Sequence, residues 1–350
     1  MRALAKVDTV PGHVEVVDVP QPKAQSGEIV VQVLACGICG TDLTLYQWPD
    51  YLAQQMGVRF PIVFGHEFGG RVVEVGPSVT EAKVGDLVTV NPHLYCKQCY
   101  YCQTDRHEIC LNRPIIGYNT AGGFAEYVAV RSENAYRLDP AVPPVVAALG
   151  EPLALGTHLA ARAGIGPGSL AVVIGPGPIG LVTTIGCHNA GADRIIVVGL
   201  PKDEDRLAIA RQWGAETYHA GDPAIQEAVM EATSGLGAET VFEVTGTLPG
   251  LRQAFNLCRK DGTVHAVGIP HEEVPVDVAA MVYAERRLVG SRGYRPKDWE
   301  VAAGLINARA ADLLPLVSDV LALEQHQLAF AKSIGREGVR IVMDPTLDYS

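Results

Sequence analysis

A chain of 350 residues is long enough for about two domains at roughly 150 residues each, and its 48% hydrophobic and 19% charged residues exclude global disorder and allow a sizeable core. A formal net charge of −11 makes nucleic acid a poor partner, because binding phosphates needs a basic surface. The opening MRALAKVDTV has no apolar leader pattern and no run of about 18 apolar residues occurs, so the expected protein is cytoplasmic and makes no membrane contact.

Up to about residue 150, short β segments punctuated by glycine recur: EIVVQVLACGICG, GGRVVEVG, VGDLVTVNP and GGFAEYVAV. They predict a compact, strand-rich domain. Within it, CKQCYYCQTDRHEIC holds Cys96, Cys99, Cys102 and Cys110 as C-x2-C-x2-C-x7-C. A reducing cytosol disfavours disulfides. The spacing lets four thiolates converge on one tetrahedral zinc, and because they fill every position such a site is structural. An iron–sulfur or redox cluster is the alternative reading.

From Leu170 the apolar runs SLAVVIG, DRIIVVG, ETVFEVTG and GTVHAVG alternate with helical patterns such as PIGLVTTIGCHNAG and DEDRLAIARQWGAE. That alternation predicts a parallel sheet with right-handed crossovers. VVIGPGPIG sets Gly175-x-Gly177-x-x-Gly180 between a strand and a helix, the context in which this motif binds a dinucleotide. Gly175 serves the turn, Gly177 the approach of backbone to pyrophosphate, and Gly180 the packing of helix on strand. Pro178 suits an early helical position, and the helix start offers free N–H groups to phosphate.

An acid about 20 residues further on normally binds the adenosine ribose; this chain has Gly199 there. Its absence removes a group that repels a 2′-phosphate, and Lys202 or Arg206 would attract one, whereas Asp203, Glu204 and Asp205 would repel it. NAD and NADP both stay open. After about residue 295, KDWEVAAGLINARA leads back to short strands ending in VRIVMDP. The nucleotide-fold segment therefore reads as inserted between two pieces of the first domain.

Cys39-Gly40-Thr41-Asp42, Gly65-His66-Glu67, the four-cysteine lobe, Glu151-Pro152-Leu153 and the glycine motif, in this order, resemble the zinc-dependent medium-chain dehydrogenases, the alcohol and polyol dehydrogenase family, over essentially the whole chain. The resemblance implies an α/β protein with a strand-rich GroES-like catalytic domain, residues 1–155 and 295–350, carrying a structural-zinc lobe at 92–113. A Rossmann domain with a doubly wound parallel sheet is implied at 156–294. Two zinc ions per subunit are implied, the second being catalytic and bound by Cys39, His66 and a carboxylate, Glu67 or Glu151. The same resemblance has Thr41 take the alcohol proton and Asp42 orient the site. Ile179 would join the glycines and Pro178 at the dinucleotide, and Arg340 would meet the pyrophosphate or form a surface salt bridge. A homodimer or homotetramer is the implied assembly.

The chain also departs from that pattern. Many relatives carry a histidine five residues after the cysteine ligand; here it is Thr44, whose hydroxyl does not titrate near neutrality. Sorbitol dehydrogenases resemble SRGYRPKDW but place an arginine before the tyrosine, where this chain has Gly293 before Tyr294. Arg292 or Arg295 would have to reach in instead. The loop TDLTLYQWPDYLAQQMGVRFPIVFGHE resembles threonine dehydrogenases in Tyr46 and Trp48. Thr44, Tyr46 and Tyr294 are the candidate substrate contacts. The expected function is hydride transfer between NAD or NADP and a secondary alcohol or ketone of a small polyol, sugar or cyclitol. Alternatives are a threonine-type dehydrogenase acting on a β-hydroxy amino acid, and a non-catalytic zinc- and nucleotide-binding sensor.

Overall fold

The structure, a computed structural model, describes residues 1–49, 57–270 and 272–348. Residues 50–56, part of the loop that resembles threonine dehydrogenases, lie outside the described residues. The chain divides into two units, Met1–Glu151 with Arg295–Ser350, and Pro152–Tyr294. The first division falls after Glu151, within the helix Gly150–Arg162 that also contains residue 155.

In the first unit a seven-stranded sheet is organised around the long strand Glu28–Gly37. It pairs antiparallel with Glu67–Val75, Tyr127–Arg131 and Arg340–Met343. Its sequence, EIVVQVLACG, is rich in β-branched and apolar residues, as a strand buried on both faces needs. Two registers position the side chains at one end of this sheet. Gly37 pairs with Glu67, so the chain leaving one strand runs beside the chain entering the other, and Cys39 comes next to His66. Gly37 also pairs with Val342, which brings Arg340 to the same end of the sheet from the opposite side. A core of Leu4, Ile29, Val31, Phe64, Phe68, Phe124 and Phe330 lies beneath.

The second unit is a six-stranded sheet in the order Glu216–His219, Arg194–Gly199, Leu170–Ile174, Ala238–Glu243, Cys258–Ala266, Arg287–Gly290. Every neighbouring pair is parallel. The four apolar runs singled out in the sequence all contribute strands, and their residues Val172, Ile174, Ile196, Val198, Val241 and Val264 form its core. The chain builds outward from Leu170–Ile174 to one side and then crosses to the other. Sheets of this order open a crevice at the carboxyl ends of the strands flanking that reversal. Among the described residues no helix is long and apolar enough to cross a membrane.

Candidate functional site

The four-cysteine lobe closes as its spacing predicts. Sγ atoms stand 3.9 Å apart for Cys96 and Cys102, 3.9 Å for Cys99 and Cys110, and 3.4 Å for Cys96 and Cys110. These separations exclude disulfides, whose sulfurs are bonded at about 2.0 Å. A tetrahedral ion with Zn–S of about 2.3 Å places its sulfurs about 3.8 Å apart, so the cage fits zinc. Backbone N–H groups of Leu111 and Cys102 bring the Cys99 thiol down to about 6, while burial pushes Cys102 up to about 12. Such a mismatch is resolved only when a cation makes all four thiolates. The lobe is tied down by charge. Buried Glu108 meets Arg106 at 2.5 Å and Arg295 at 3.4 Å, and Asp105 meets Arg295 at 3.4 Å and Lys297 at 3.3 Å. Arg295, weighed above as a stand-in substrate contact, is therefore engaged at the lobe.

The second candidate centre gathers residues from separate strands. A sulfur of Cys39, a ring nitrogen of His66 and a carboxylate oxygen of Glu67 lie within 4.8 Å of one another. Asp42, fully buried, holds both ends of this arrangement: Oδ2 accepts the backbone N–H of Cys39 at 2.9 Å, and Oδ1 is 3.4 Å from His66 Nδ1. Glu67 and Arg340, from strands on either side of Gly37, form a buried ion pair over it. A Cβ on residue 37 would meet Glu67 Oε2 at 2.7 Å and Arg340 Cδ at 3.0 Å, which is why a glycine stands there. Arg340 is 5% exposed, so its salt bridge is an interior one and not the surface pair weighed above.

Burial, and after it the Glu67 carboxylate, pushes the Cys39 thiol up against the pull of His66. Burial alone would lower the His66 imidazole, but Asp42 and Cys39 together hold it well above its ordinary value. Glu67 Oε1 is buried without a hydrogen-bond partner among the described residues. A thiol, an imidazole and a carboxylate enclosed together are a zinc donor set, and a cation among them relieves both the burial of charge and the orphaned oxygen. The residues present fit the metal.

Glu151 lies outside that tight group. Its charge is nonetheless felt by Cys39, Tyr118 and Arg340. The Thr41 hydroxyl is 3.8 Å from Cys39 Sγ. Tyr118, which the sequence did not single out, places its hydroxyl 3.2 Å from His66 Nε2 and is hydrogen-bonded to Thr41. Burial first, then the charges of Cys39 and Asp42, push its phenol well above the ordinary range, so it keeps its proton. The only sequence signal was a glycine pattern. A Cβ on Gly117 or Gly122 would stand 2.6 or 2.4 Å from the Gly65 carbonyl, so both must be glycine for this segment to lie against Gly65-His66. Of the candidate substrate contacts, Thr44 bonds the Gly40 carbonyl of its own helix at 3.2 Å. Tyr46 stacks on Phe330 with ring centroids 4.3 Å apart. Tyr294 is buried at the last residue of the second unit.

The glycine motif has the geometry its chemistry needs. Gly175 turns at φ +109°, and a Cβ on Gly180 would sit 1.8 Å from the Gly175 carbonyl. Around a Cβ on Gly177 there is nothing within 4 Å, the open approach a pyrophosphate requires. Gly177 caps the helix Pro178–Asn189, with Pro178 at its start and Ile179 following. At Gly199, the end of the neighbouring strand, a Cβ would meet Pro176 Cγ at 2.8 Å, so the place of the missing acid is filled by the motif's own proline. Beyond it Lys202 is exposed and Arg206 is 3.6 Å from Asp203.

Comparison with known proteins gives the family. Residues 25–140 match the alcohol dehydrogenase GroES-like domain and residues 178–308 the zinc-binding dehydrogenase domain. The chain is 33% identical over 348 residues to a sorbitol dehydrogenase of Halalkalibacterium halodurans, covering 99% of each. It is likewise 33% identical to an L-threonine 3-dehydrogenase of Bacillus subtilis, again over 99% of each. A zinc-binding dehydrogenase structure from Sinorhizobium meliloti bound to NADP superimposes with a TM-score of 0.86 at 29% identity, covering 98% of this chain and 99% of that one. With a cysteine cage and a second zinc donor set in one unit and a dinucleotide turn in the other, the chain belongs to the zinc-dependent medium-chain dehydrogenases and is an alcohol dehydrogenase using zinc and NAD(P).

Proposed function

We propose that the protein interconverts a secondary alcohol and ketone in a small, uncharged polyhydroxylated molecule, a polyol, sugar or cyclitol, with NADP(H) as the hydride carrier. Cys39, His66 and Glu67 would hold the catalytic zinc, with Glu151 in reserve beside them. Zinc bound there supplies Lewis acidity, lowering the pKa of an alcohol oxygen towards about 7. Asp42 fixes the His66 ring through Nδ1 and leaves Nε2 for the ion. Thr41 receives the alcohol proton, and the Tyr118 hydroxyl bonded to it steadies that hydroxyl.

The observation carrying the substrate class is the pairing of Arg340 with Glu67. An amino acid substrate needs a cation for its carboxylate, and the guanidinium adjoining the donor set is already committed. The threonine-type reading is favoured by the L-threonine 3-dehydrogenases among the relatives and by the loop that holds Tyr46 and Trp48. Two features support NADP. No acid ends the strand Arg194–Gly199, and Asp203 and Glu204, two of the three acids that would repel a 2′-phosphate, are ion-paired with Arg206 and Arg211. Lys202 is left to meet that phosphate.

Initial rates with sorbitol, other polyols and L-threonine, each with NAD and with NADP, test the proposal. Faster turnover of a polyol with NADP is the expected result. Preference for L-threonine would overturn the substrate class, and preference for NAD the cofactor assignment.

A further inference from the structure

The Rossmann turn supplies one wall of the dinucleotide crevice, and the strand across the reversal, Ala238–Glu243, should supply the other. That strand ends on an acid that, unlike the exposed Glu239 near its start, is buried. Glu243 is 2% exposed. Its Oε1 accepts the backbone N–H of Thr245 at 2.8 Å and also the Thr245 hydroxyl, and its Oε2 accepts the N–H of Gly246 at 3.1 Å. Its carbonyl takes the N–H groups of Val267 at 2.9 Å and Gly268 at 3.0 Å from the next strand's end. Five donors thus converge on one residue, and four of them are backbone groups at strand ends.

What this organises is the segment facing the glycine turn. Thr245 Cγ2 stands 2.6 Å, and Val244 Cγ2 3.3 Å, from where a Cβ on Gly175 would be. Val244 also bounds Gly180, at 3.2 Å from its absent Cβ. Thr245 and Thr247 are exposed with their hydroxyls 2.8 Å apart, and because the Thr245 proton goes to Glu243, the Thr247 hydroxyl is the donor in that pair. A Cβ on Gly250 would lie 2.7 Å from Glu243 Oε1 and 2.4 Å from Thr245 Oγ1, so the following helix is cut away to admit the cluster.

We propose that Glu243 is a positioning residue of the cofactor site, its buried carboxylate shaping Val244–Thr247 into the second lip of the dinucleotide crevice opposite Gly175. The inference rests on the dinucleotide reading of the glycine turn. It requires an acceptor on both carboxylate oxygens, because both face N–H donors. A glutamine keeps the shape but turns an NH2 group towards a backbone N–H.

Fluorescence titration of the zinc-loaded protein with NADH and NADPH tests this, alongside the thermal midpoint. Glu243→Gln should weaken both cofactors by about tenfold, the factor that one lost charge-assisted hydrogen bond of about 1.4 kcal/mol gives. Thr245→Val, at an exposed position, should weaken them in the same direction without lowering the midpoint, and Thr245→Ser should restore wild-type binding. The valine variant keeps the test alive if the glutamine variant fails to fold. Wild-type affinity in both Glu243→Gln and Thr245→Val overturns the inference, as does a lowered midpoint with unchanged affinity. If the wild type bound neither cofactor, the dinucleotide reading itself would fall and this inference with it.

Discussion

The dinucleotide turn is written in six consecutive residues, Gly175 to Gly180, whereas the Cys39 centre draws on residues 39, 42, 66, 67, 118 and 340. The first depends on how closely backbone approaches backbone, and three of its six residues have no side chain. The second depends on strand register and on buried charges that must satisfy one another. A local site is robust to events elsewhere in the sheet. An assembled one fails when any contributing strand or counter-charge is lost, and that difference is open to experiment.

The largest effect should come from the assembled centre. Cys39→Ser is expected to cut turnover by about 10⁴-fold, roughly 5 kcal/mol of barrier, and to leave one zinc of two by metal analysis. Cys102→Ser, in the locally closed lobe, should release the other zinc and lower the thermal midpoint by about 10 °C, as a loss of roughly 3 to 4 kcal/mol would in a chain of this kind. A Cys102→Ser protein that is stable yet inactive would reverse these roles.

Next is the ion pair over Gly37. In the zinc-free protein, Arg340→Met leaves Glu67 buried without its counter-charge and should cost about 3–5 kcal/mol by denaturant unfolding. The double variant with Glu67→Gln should regain most of that, because no lone charge remains. A single-variant loss under about 1 kcal/mol, the range of exposed pairs, would show that the pair is not an interior one.

The second unit carries a charge-sensitive element of its own. His265 is 4% exposed, and burial, followed by Arg162 and Arg287, pushes its imidazole down to about 4. It is neutral when folded and takes up a proton on unfolding below about pH 6.5, its unfolded value. Stability is therefore lost as pH falls from about 6.5 towards 4, by up to roughly 3 kcal/mol. Between about pH 7 and about pH 5, a His265→Asn variant should lose roughly 2 kcal/mol less than the wild type in urea unfolding. Parallel losses in the two proteins would assign the acid limb to other groups.

Legibility in the sequence follows the same division. The four cysteines and the glycine turn were readable because their geometry is set within one loop, and apolar runs such as SLAVVIG became strands because parallel strands are buried on both faces. The Cys39 centre was reached through resemblance. Its proximity to His66 is fixed by the pairing of Gly37 with Glu67, and register is not encoded in any short window. Glu67 and Arg340 are 273 residues apart in the chain, so their pairing leaves no local trace. Tyr118 left only the glycines that let it approach. Glu243 was hidden in ETVFEVTG, where the second of two acids in a short strand looks like an edge residue until its five donors are seen.

The smallest expected effect is also the most informative about assembly. Asp42 accepts the Cys39 backbone N–H three residues back, as a helix-capping acid does, and also faces His66 Nδ1, so it joins the two segments of the donor set. Asp42→Asn preserves size and the bond to Cys39 but removes the charge that fixes the imidazole. Zinc retention under chelator competition and turnover should each fall about tenfold, the lower end of the range for groups that orient metal ligands, while the affinity for NAD(P)H, bound at the glycine turn of the other unit, stays unchanged. If cofactor affinity fell in step with zinc retention, the two sites would not be independent, and the contrast between a local and an assembled site would have to give way to one coupled centre.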